Sequence, residues 1–194
     1  MIYSIYSAGA NLKSLEEQRK ASAKLLSYGL CMTYQIEEKN IDIVHNCFGK
    51  PFFKEHRDIF FNIAHCENGV AVIFSDRRVG IDIEKVREYN VFAARKVLDE
   101  FEMDRIEDSD NPSVEFFRYW TVKESYIKAL GTGFSYPLKK IKVILEKDGQ
   151  VHTNVKGARF DLYENQLGFI IATCHLNGNS TPLEKTNEQS FTLP

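Results

Sequence analysis

Two acidic residues separated by one apolar residue indicate a candidate cation site on a strand. Asp82 and Glu84 lie in the segment GIDIE, residues 80–84. Side chains alternate between the faces of a strand, so both carboxylates would lie on one face, about 7 Å apart, with Ile81 and Ile83 on the other. Carboxylate oxygens placed this way can hold a hard divalent cation. The alternative is a half-exposed strand whose polar face is only solvated.

A second set of chemical groups occurs in the segment WTVKESYIKAL, residues 120–130, which has the periodicity of a helix. An arc of about 140° carries a carboxylate between two ammonium groups, together with two apolar side chains. Its members are Trp120, Lys123, Glu124, Ile127 and Lys128. The lysines could hold phosphates while Glu124 binds a metal or accepts a proton. The alternative is a surface Glu124–Lys128 pair worth about 0.2–0.5 kcal/mol, but the apolar members of the arc indicate that something covers this face.

The third candidate is His65, in the segment FNIAHC at the end of an apolar, strand-like run. Histidine can offer a cation or a hydrogen-bond donor to a phosphate. A structural hydrogen-bonding role is the alternative. Upstream, Gly49-Lys50-Pro51 has on its own only the composition of a turn.

The elements that must position these residues occur twice in the same order, a strand, a helix and then further strands. Ser14 and Glu17 form a capping box that predicts a helix to about Gly29. Asn111 and Pro112 predict the start of a long helix that ends at Gly131. Further helical periodicity covers residues 91–106. Strands are predicted over residues 2–6, 35–44, 59–63, 70–74, 79–83, 141–145, 151–155, 160–163 and 169–174.

Hairpins are expected wherever two predicted strands are joined by a short polar link. We expect one between residues 70–74 and 79–83, one across Asp148-Gly149, and one between 160–163 and 169–174. A polar, loosely held tail is expected from residue 177. The pattern is that of an α+β protein.

Composition excludes several classes of protein to which this chain could belong. The chain has 194 residues, 43% hydrophobic and 27% charged, with a net charge of −2. That charge argues against a general nucleic-acid binder, and no apolar run reaches the ~18–20 residues of a membrane helix. The four cysteines show no metal-ligand spacing, which favours reduced thiols and a cytoplasmic protein. Residues 118–142 hold six basic residues against one acid, which is compatible with a local site for a polyanion.

Taken in order, Lys50-Pro51, FNIAHC, VGIDIE and FFRYWTVKESYIKALGTG resemble the two-lobed, surfactin-type 4′-phosphopantetheinyl transferases. The match runs from about Gly49 to Gly133. The WxxKESxxKxxGxG block is specific, and it begins about 35 residues after GIDIE. The resemblance departs from the family pattern at Ala64 and Cys66, where family members usually have serine.

The resemblance implies a pseudo-dimeric α+β fold with two related lobes, each a helix packed on a small, mostly antiparallel sheet. The N-terminal lobe would span residues 1–79, the C-terminal lobe 80–176 and the flexible tail 177–194. Coenzyme A would bind between the lobes, and the enzyme would transfer 4′-phosphopantetheine to a serine of an apo acyl- or peptidyl-carrier protein, with Mg²⁺ as cofactor and 3′,5′-ADP as product. A monomer is expected, because the second lobe replaces a partner subunit.

Roles for individual residues follow from the same resemblance. Asp82, Glu84 and Glu124 match the Mg²⁺ carboxylates, with Glu124 also the expected base for the carrier serine. Lys123 and Lys128 would contact the pyrophosphate, and His65 would contact another phosphate oxygen. Lys50 and Pro51 match the segment near the adenosine end of coenzyme A. Trp120 matches a packing residue of the catalytic helix. Lys128 is also expected to stabilise charge in the transition state.

Two other functions compete with transfer. One is a catalytically weak homologue that binds coenzyme A or a carrier protein, which the changes at Ala64 and Cys66 and the short N-terminal lobe would favour. The other is an unrelated Mg²⁺-dependent phosphotransferase that uses nucleotides. The second is the weaker hypothesis, because no GxxxxGK[ST] phosphate-binding loop is present.

Overall fold

The computed structural model describes residues 1–6, 12–37, 39, 41–146, 148–176 and 189–191. The predicted tail from residue 177 lies outside this part of the chain, apart from 189–191. Among the described helices, none is both long and apolar enough to cross a membrane. The helices are α1 (Leu15–Tyr34), α2 (Val91–Val97), α3 (Glu100–Glu107) and α4 (Pro112–Leu130), with short 3₁₀ turns at Gly133–Ser135 and Leu138–Lys140.

The strands occur in runs separated by the helices, which confirms the α+β class. Those before α2 are β1 (Ile2–Tyr6), β2 (Ile43–His45), β3 (Pro51–Phe53), β4 (Phe60–Cys66), β5 (Gly69–Ser75) and β6 (Val79–Lys85). Those after α4 are β7 (Val143–Leu145), β8 (Val151–Thr153), β9 (Ala158–Glu164), β10 (Phe169–Leu176) and β11 (Gln189–Phe191). The strand predicted over residues 35–44 is thus limited to Ile43–His45 in the part of it that the structure describes.

The first sheet has the strand order β11-β1-β5-β4, antiparallel except for the parallel β1–β11 pair. The hairpin predicted between residues 70–74 and 79–83 is wrong. β5 already has β4 and β1 on its two edges, so it has no free edge for β6. The actual hairpin is β4–β5, which turns at Asn68 with a positive φ of 62°.

The second sheet has the order β6-β10-β9 and is antiparallel throughout. The hairpins predicted in this half are both confirmed, as β9–β10 and as the separate β7–β8 pair. The boundary predicted between residues 79 and 80 falls inside β6, which joins the second sheet from Val79 onward. Each half of the described chain therefore has one long helix packed on a small sheet, in which only the β1–β11 pair is parallel.

The ends of the helices can be compared with the ends predicted from the sequence. Ser14 and Glu17 form the predicted capping box, but α1 continues to Tyr34, beyond the predicted end at Gly29. The single helix predicted over 91–106 is two helices, because Asp99 leaves the helical conformation and caps α3 in a capping box with Glu102. α4 begins after Asn111 and ends at Gly131, as predicted.

Three apolar clusters hold these layers together. α1 packs on one face of the first sheet, where Leu25, Leu26 and Leu30 share an apolar cluster with Val70 and Val72 of β5. α4 packs on the second sheet in a larger cluster. Between the two sheets lies a third cluster, the interlobe core, whose members include Ala71, Ile73, Ile81, Ile83, Phe169 and Ile171. β5 and β6 thus bury apolar side chains toward the other lobe.

Gly80 allows β6 and α4 to approach closely. A Cβ on this residue would lie 2.0 Å from the Ser125 carbonyl oxygen and 2.4 Å from the Ala129 nitrogen, both backbone atoms. We predict that Gly80→Ala lowers the free energy of unfolding by about 1–3 kcal/mol or more, since the two backbones must separate. Denaturant titration measures this.

Gly69→Ala provides the comparison, because its added Cβ would meet the Phe169 ring, at 2.7 Å, rather than backbone. A side chain can turn away more easily than a helix can shift, so the loss should be smaller. Wild-type stability in Gly80→Ala would refute the close packing of these two elements.

Candidate active site

The alternation of β6 places the two acidic residues as the sequence predicts. Ile81 and Ile83 are buried in the interlobe core. Asp82 lies on the opposite face, toward α4, where it meets Lys128. Glu84 shares that face and forms an ion pair with Arg87, with 2.8 Å between Oε2 and Nη1.

α4 supplies the groups opposite β6. Lys128 Nζ lies 2.5 Å from Asp82 Oδ1, and Glu124 is one helical turn earlier along α4. Asp82 and Glu124 are only 5% and 6% exposed. Asp82, Glu124 and Lys128, with Glu84 near them, therefore form one charged cluster, the seam cluster, between β6 and α4.

Burial and like charge determine the protonation of the seam cluster. Burial raises the pKa of Asp82 to about 6, against the opposing attraction of Lys128. Burial, with the neighbouring Asp82 carboxylate, raises the pKa of Glu124 to about 7. Burial alone would lower the pKa of Lys128, but the three carboxylates raise it above its usual value. Glu124 is thus poised near neutral pH, where a general base works best.

Two oxygen atoms of the seam cluster lack a hydrogen-bond partner. Asp82 Oδ2 and Glu124 Oε1 are buried and unsatisfied, which is unusual for carboxylates. Among the described residues, no three His, Cys, Asp or Glu side chains already enclose a metal position. Mg²⁺, however, commonly takes only one or two carboxylates and completes its shell with water and phosphate oxygens. The two unsatisfied oxygens fit such an ion, and Glu84 could supply a third ligand oxygen once its ion pair with Arg87 opens.

His65 lies at the end of β4 and opens onto a cleft beside the seam cluster. The cleft has a volume of about 420 Å³ and is lined by His65, Cys66, Glu67, Glu84, Lys85, Val86 and Arg87. His65 and Glu84, to which the resemblance assigns a phosphate contact and a metal-ligand role, therefore share one opening. Sequence reasoning missed Lys85 and Arg87, although both directly follow GIDIE in the chain.

The two departures from the family pattern occupy different environments. Ala64 is buried in the interlobe core, so its side chain does not line the cleft. Cys66 lines the cleft, and burial, reinforced by Glu84 and Asp82, raises the pKa of its thiol to about 12. That thiol stays protonated at neutral pH and donates to the Glu67 carbonyl, 3.7 Å away, where a serine would offer a hydroxyl.

Lys50 and Pro51 line a second cavity of about 210 Å³, at the C-terminal end of α4. Its walls combine aromatic side chains with cationic ones, among them Phe52, Arg57 and Arg78. Lys50 itself points its ammonium at three backbone carbonyls. Pro51 is thus placed where a planar apolar group could bind, whereas the Lys50 ammonium already has partners.

Lys123 is not brought into the seam cluster. Its side chain is 0% exposed, and its Nζ lies 2.6 Å from Glu102 Oε2 while also donating to the carbonyls of Val97 and Leu138. A fully enclosed ammonium with three partners cannot reach a phosphate without losing them. The predicted contact between Lys123 and the pyrophosphate therefore does not fit this geometry.

Two further residues of the motifs hold the site together. Trp120 is partly buried against the α4 core and stacks on Phe116, with ring centroids 6.1 Å apart, as expected of a packing residue. Asn62, missed as a functional residue, is buried and accepts a hydrogen bond of 2.8 Å from the Ile81 backbone. That bond joins β4 to β6 and so links His65 to the acidic strand. A buried amide in an apolar strand was the signal in the sequence.

Comparisons with known proteins agree with this geometry. The sequence profile of the 4′-phosphopantetheinyl transferase superfamily matches residues 78–174. The 4′-phosphopantetheinyl transferase Sfp of Bacillus subtilis (strain 168) is 31% identical over 147 residues, covering 73% of this chain and 66% of Sfp. The 4′-phosphopantetheinyl transferase gsp of Aneurinibacillus migulanus is 33% identical over 165 residues, covering 82% of this chain and 69% of that relative.

The helix-on-sheet halves, the seam cluster and these matches define the class: the chain belongs to the 4′-phosphopantetheinyl transferase superfamily. Within it, the similarity to Sfp and gsp confirms the resemblance to the surfactin-type family. The chain spans about two thirds of the length of these curated relatives. Among solved structures, the holo-[acyl-carrier-protein] synthase of Thermotoga maritima covers 51% of this chain and 62% of its own, with a TM-score of 0.44 and 23% identity.

Proposed function

We propose that this protein transfers 4′-phosphopantetheine from coenzyme A to a serine of an apo acyl- or peptidyl-carrier protein, releasing 3′,5′-ADP. The single observation that carries the proposal is the seam cluster, in which Asp82, Glu124 and Lys128 meet in a buried position beside the His65 cleft. Two carboxylates with unsatisfied oxygens and one lysine suit a pyrophosphate bound with a cation.

In the reaction, the serine hydroxyl oxygen bonds to the phosphorus that carries the pantetheine arm. The bond from that phosphorus to the bridging oxygen of the pyrophosphate breaks, and this oxygen leaves with 3′,5′-ADP. The serine proton goes to Glu124, directly or through a water molecule. The pKa of Glu124 is raised to about 7 by burial and by Asp82, and a bound cation would lower it, so the carboxylate would be ionised and able to accept the proton.

The other residues would bind and orient the pyrophosphate. Lys128 holds its charge beside Asp82 and would stabilise the negative charge that develops on the leaving phosphate. His65 lines the cleft that Glu84 also borders and would donate to another phosphate oxygen. We assign Asp82, Glu84 and Glu124 as ligands for Mg²⁺, which when bound would neutralise phosphate charge. Pro51 would lie near the adenosine end.

The organisation of the protein is part of the same proposal. We assign residues 1–79 and 80–176 to two lobes that function together as a monomer, because the interlobe core buries a sheet face from each half. A cytoplasmic location is proposed, supported by the four cysteines, all of them free thiols. Residues 177–194 are assigned as a tail that follows the C-terminal lobe, of which residues 189–191 pair with β1 of the first sheet.

The proposal predicts a mass increase on carrier proteins. Incubation with coenzyme A, Mg²⁺ and a panel of apo acyl- and peptidyl-carrier proteins should add one phosphopantetheine to at least one carrier, with one 3′,5′-ADP released per carrier. Intact-protein mass spectrometry and chromatography of the nucleotide measure both. A carrier whose acceptor serine is changed to alanine is the control and should stay unmodified.

The same experiment separates transfer from binding alone. A folded protein that binds coenzyme A tightly but releases no 3′,5′-ADP with any carrier would be the catalytically weak binding homologue. Omitting Mg²⁺ and adding a chelator should abolish transfer, and full activity under those conditions would remove the metal from the proposal.

A further inference from the structure

The C-terminal end of α4 is held by side chains from the first half of the chain. The last carbonyls of any helix have no amide partner within the helix. In α4 these are the carbonyls of Lys128, Ala129, Leu130 and the capping residue Gly131. Each of the four accepts a hydrogen bond from a side chain that precedes Gly80 in sequence.

Lys50 is the central donor. Its Nζ lies 2.6 Å from the Lys128 carbonyl oxygen, 3.1 Å from that of Ala129 and 2.9 Å from that of Val79 at the start of β6. An ammonium has three protons to donate. All three are matched by backbone oxygens, so Lys50 keeps no donor for a ligand.

Asn46 and Arg78 complete this arrangement, which we call the α4 clamp. Asn46 Nδ2 donates to the Gly131 carbonyl at 2.9 Å, and an Arg78 guanidinium nitrogen donates to the Leu130 carbonyl. Asn46 Oδ1 also accepts from the Lys50 backbone nitrogen at 2.8 Å, which fixes the turn that carries Lys50. The Asn46–Lys50 hydrogen bond thus orients Lys50 toward α4 from within the first half of the chain.

Packing and charge support the same role. A Cβ on Gly131 would lie 2.8 Å from Lys50 Cδ, and the φ of Gly131 is +73°, so this cap needs glycine on both counts. Cations at a helix C-terminus are stabilising. Burial, and then the nearby Arg78, lower the pKa of Lys50 to about 8, which leaves it charged at neutral pH.

We propose that Lys50, with Asn46 and Arg78, is a positioning clamp that fixes the end of α4 against the first lobe and so holds Lys128 on Asp82, and is not a ligand for coenzyme A. The inference rests on the proposed function. It replaces the role that the resemblance implied for Lys50. Lys128 links the clamp directly to the chemistry. Its backbone carbonyl accepts the shortest of the Lys50 hydrogen bonds, and its ammonium meets Asp82.

Lys50→Met tests this, because methionine keeps an unbranched, flexible side chain of similar reach but cannot donate. We expect kcat to fall about 10-fold or more, as misplacement of a catalytic group commonly does, while the calorimetric Kd for coenzyme A rises by a smaller factor, since Lys128 is displaced and not removed. Lys50→Arg should regain part of kcat. Lys54→Met is the matched control, an exposed lysine in the same segment, and should behave as wild type.

A second readout does not depend on catalysis. Amide hydrogen exchange over residues 124–131 should quicken in Lys50→Met and not in Lys54→Met. Asn46→Ala loosens the same clamp and should give the same pattern if Lys50→Met fails to fold. A Kd for coenzyme A that rises 10-fold with unchanged kcat and unchanged exchange would overturn the clamp. Failure of the wild type to modify any carrier would instead refute the proposed function, and the exchange data would still decide on the clamp.

Discussion

Glu124→Gln is expected to lower the rate of phosphopantetheine transfer by about 10²–10⁴-fold while the protein stays folded. The amide has nearly the same shape but cannot accept the serine proton, and loss of a general base costs about this factor. Glu124 Oε1 has no hydrogen-bond partner, so the change breaks no bond of that atom. The transfer rate to an apo carrier, followed by intact mass, measures the loss.

Two comparisons make this result specific to the seam cluster. Asp82→Asn removes the negative charge that pairs with Lys128 and should also lose most activity, whereas Glu146→Gln, on the exposed end of the β7–β8 hairpin, should lose none. The midpoint temperature of thermal unfolding of Glu124→Gln should be no lower than that of wild type, since burial disfavours the charged carboxylate. Turnover of Glu124→Gln within a few-fold of wild type would remove the base from the mechanism.

Lys123→Met is expected to lower the free energy of unfolding by about 3–5 kcal/mol, because it leaves the Glu102 carboxylate buried without its cation. Both side chains are 0% exposed, and Glu102 also accepts hydrogen bonds from the backbone of Asp99 and Val143. The pair therefore joins α3, α4 and the start of β7. Urea denaturation of the two proteins measures the difference.

The double variant Lys123→Met/Glu102→Gln distinguishes a buried pair from a phosphate ligand. Glutamine keeps an acceptor for the Val143 amide and removes the uncompensated charge, so the double variant should be more stable than Lys123→Met alone. Its Kd for coenzyme A should match that of wild type. If the double variant regained stability but bound coenzyme A 10-fold more weakly, Lys123 would be a ligand after all.

Local sequence signals were sufficient for the elements that carry the site. The alternation in GIDIE put Asp82 and Glu84 on one face, and the structure confirms it. Asn111 and Gly131 mark the two ends of α4 correctly, because caps depend on residues within one turn of the helix end. Strand pairing was harder: the link between β5 and β6 is short enough for a hairpin, but β5 pairs with the preceding strand β4 on one edge and with the sequence-distant β1 on the other.

The lysines of the motifs show most clearly what sequence alone determines. Helical periodicity assigns Lys123 and Lys128 to one arc, but it gives neither the depth of a side chain nor its partner. The partner of Lys123 is Glu102 on α3, that of Lys128 is Asp82 on β6, and Lys50 meets carbonyls at the far end of α4.

The sequence by itself thus determined the order of the motifs, the types of residue available for metal and phosphate binding, and the helix and strand that carry most of them. The tertiary structure alone decided which basic side chains face the cleft and which have their hydrogen-bond partners inside the protein. The physical reason is that a buried ammonium needs acceptors on every proton, and those acceptors come from segments that only folding brings together.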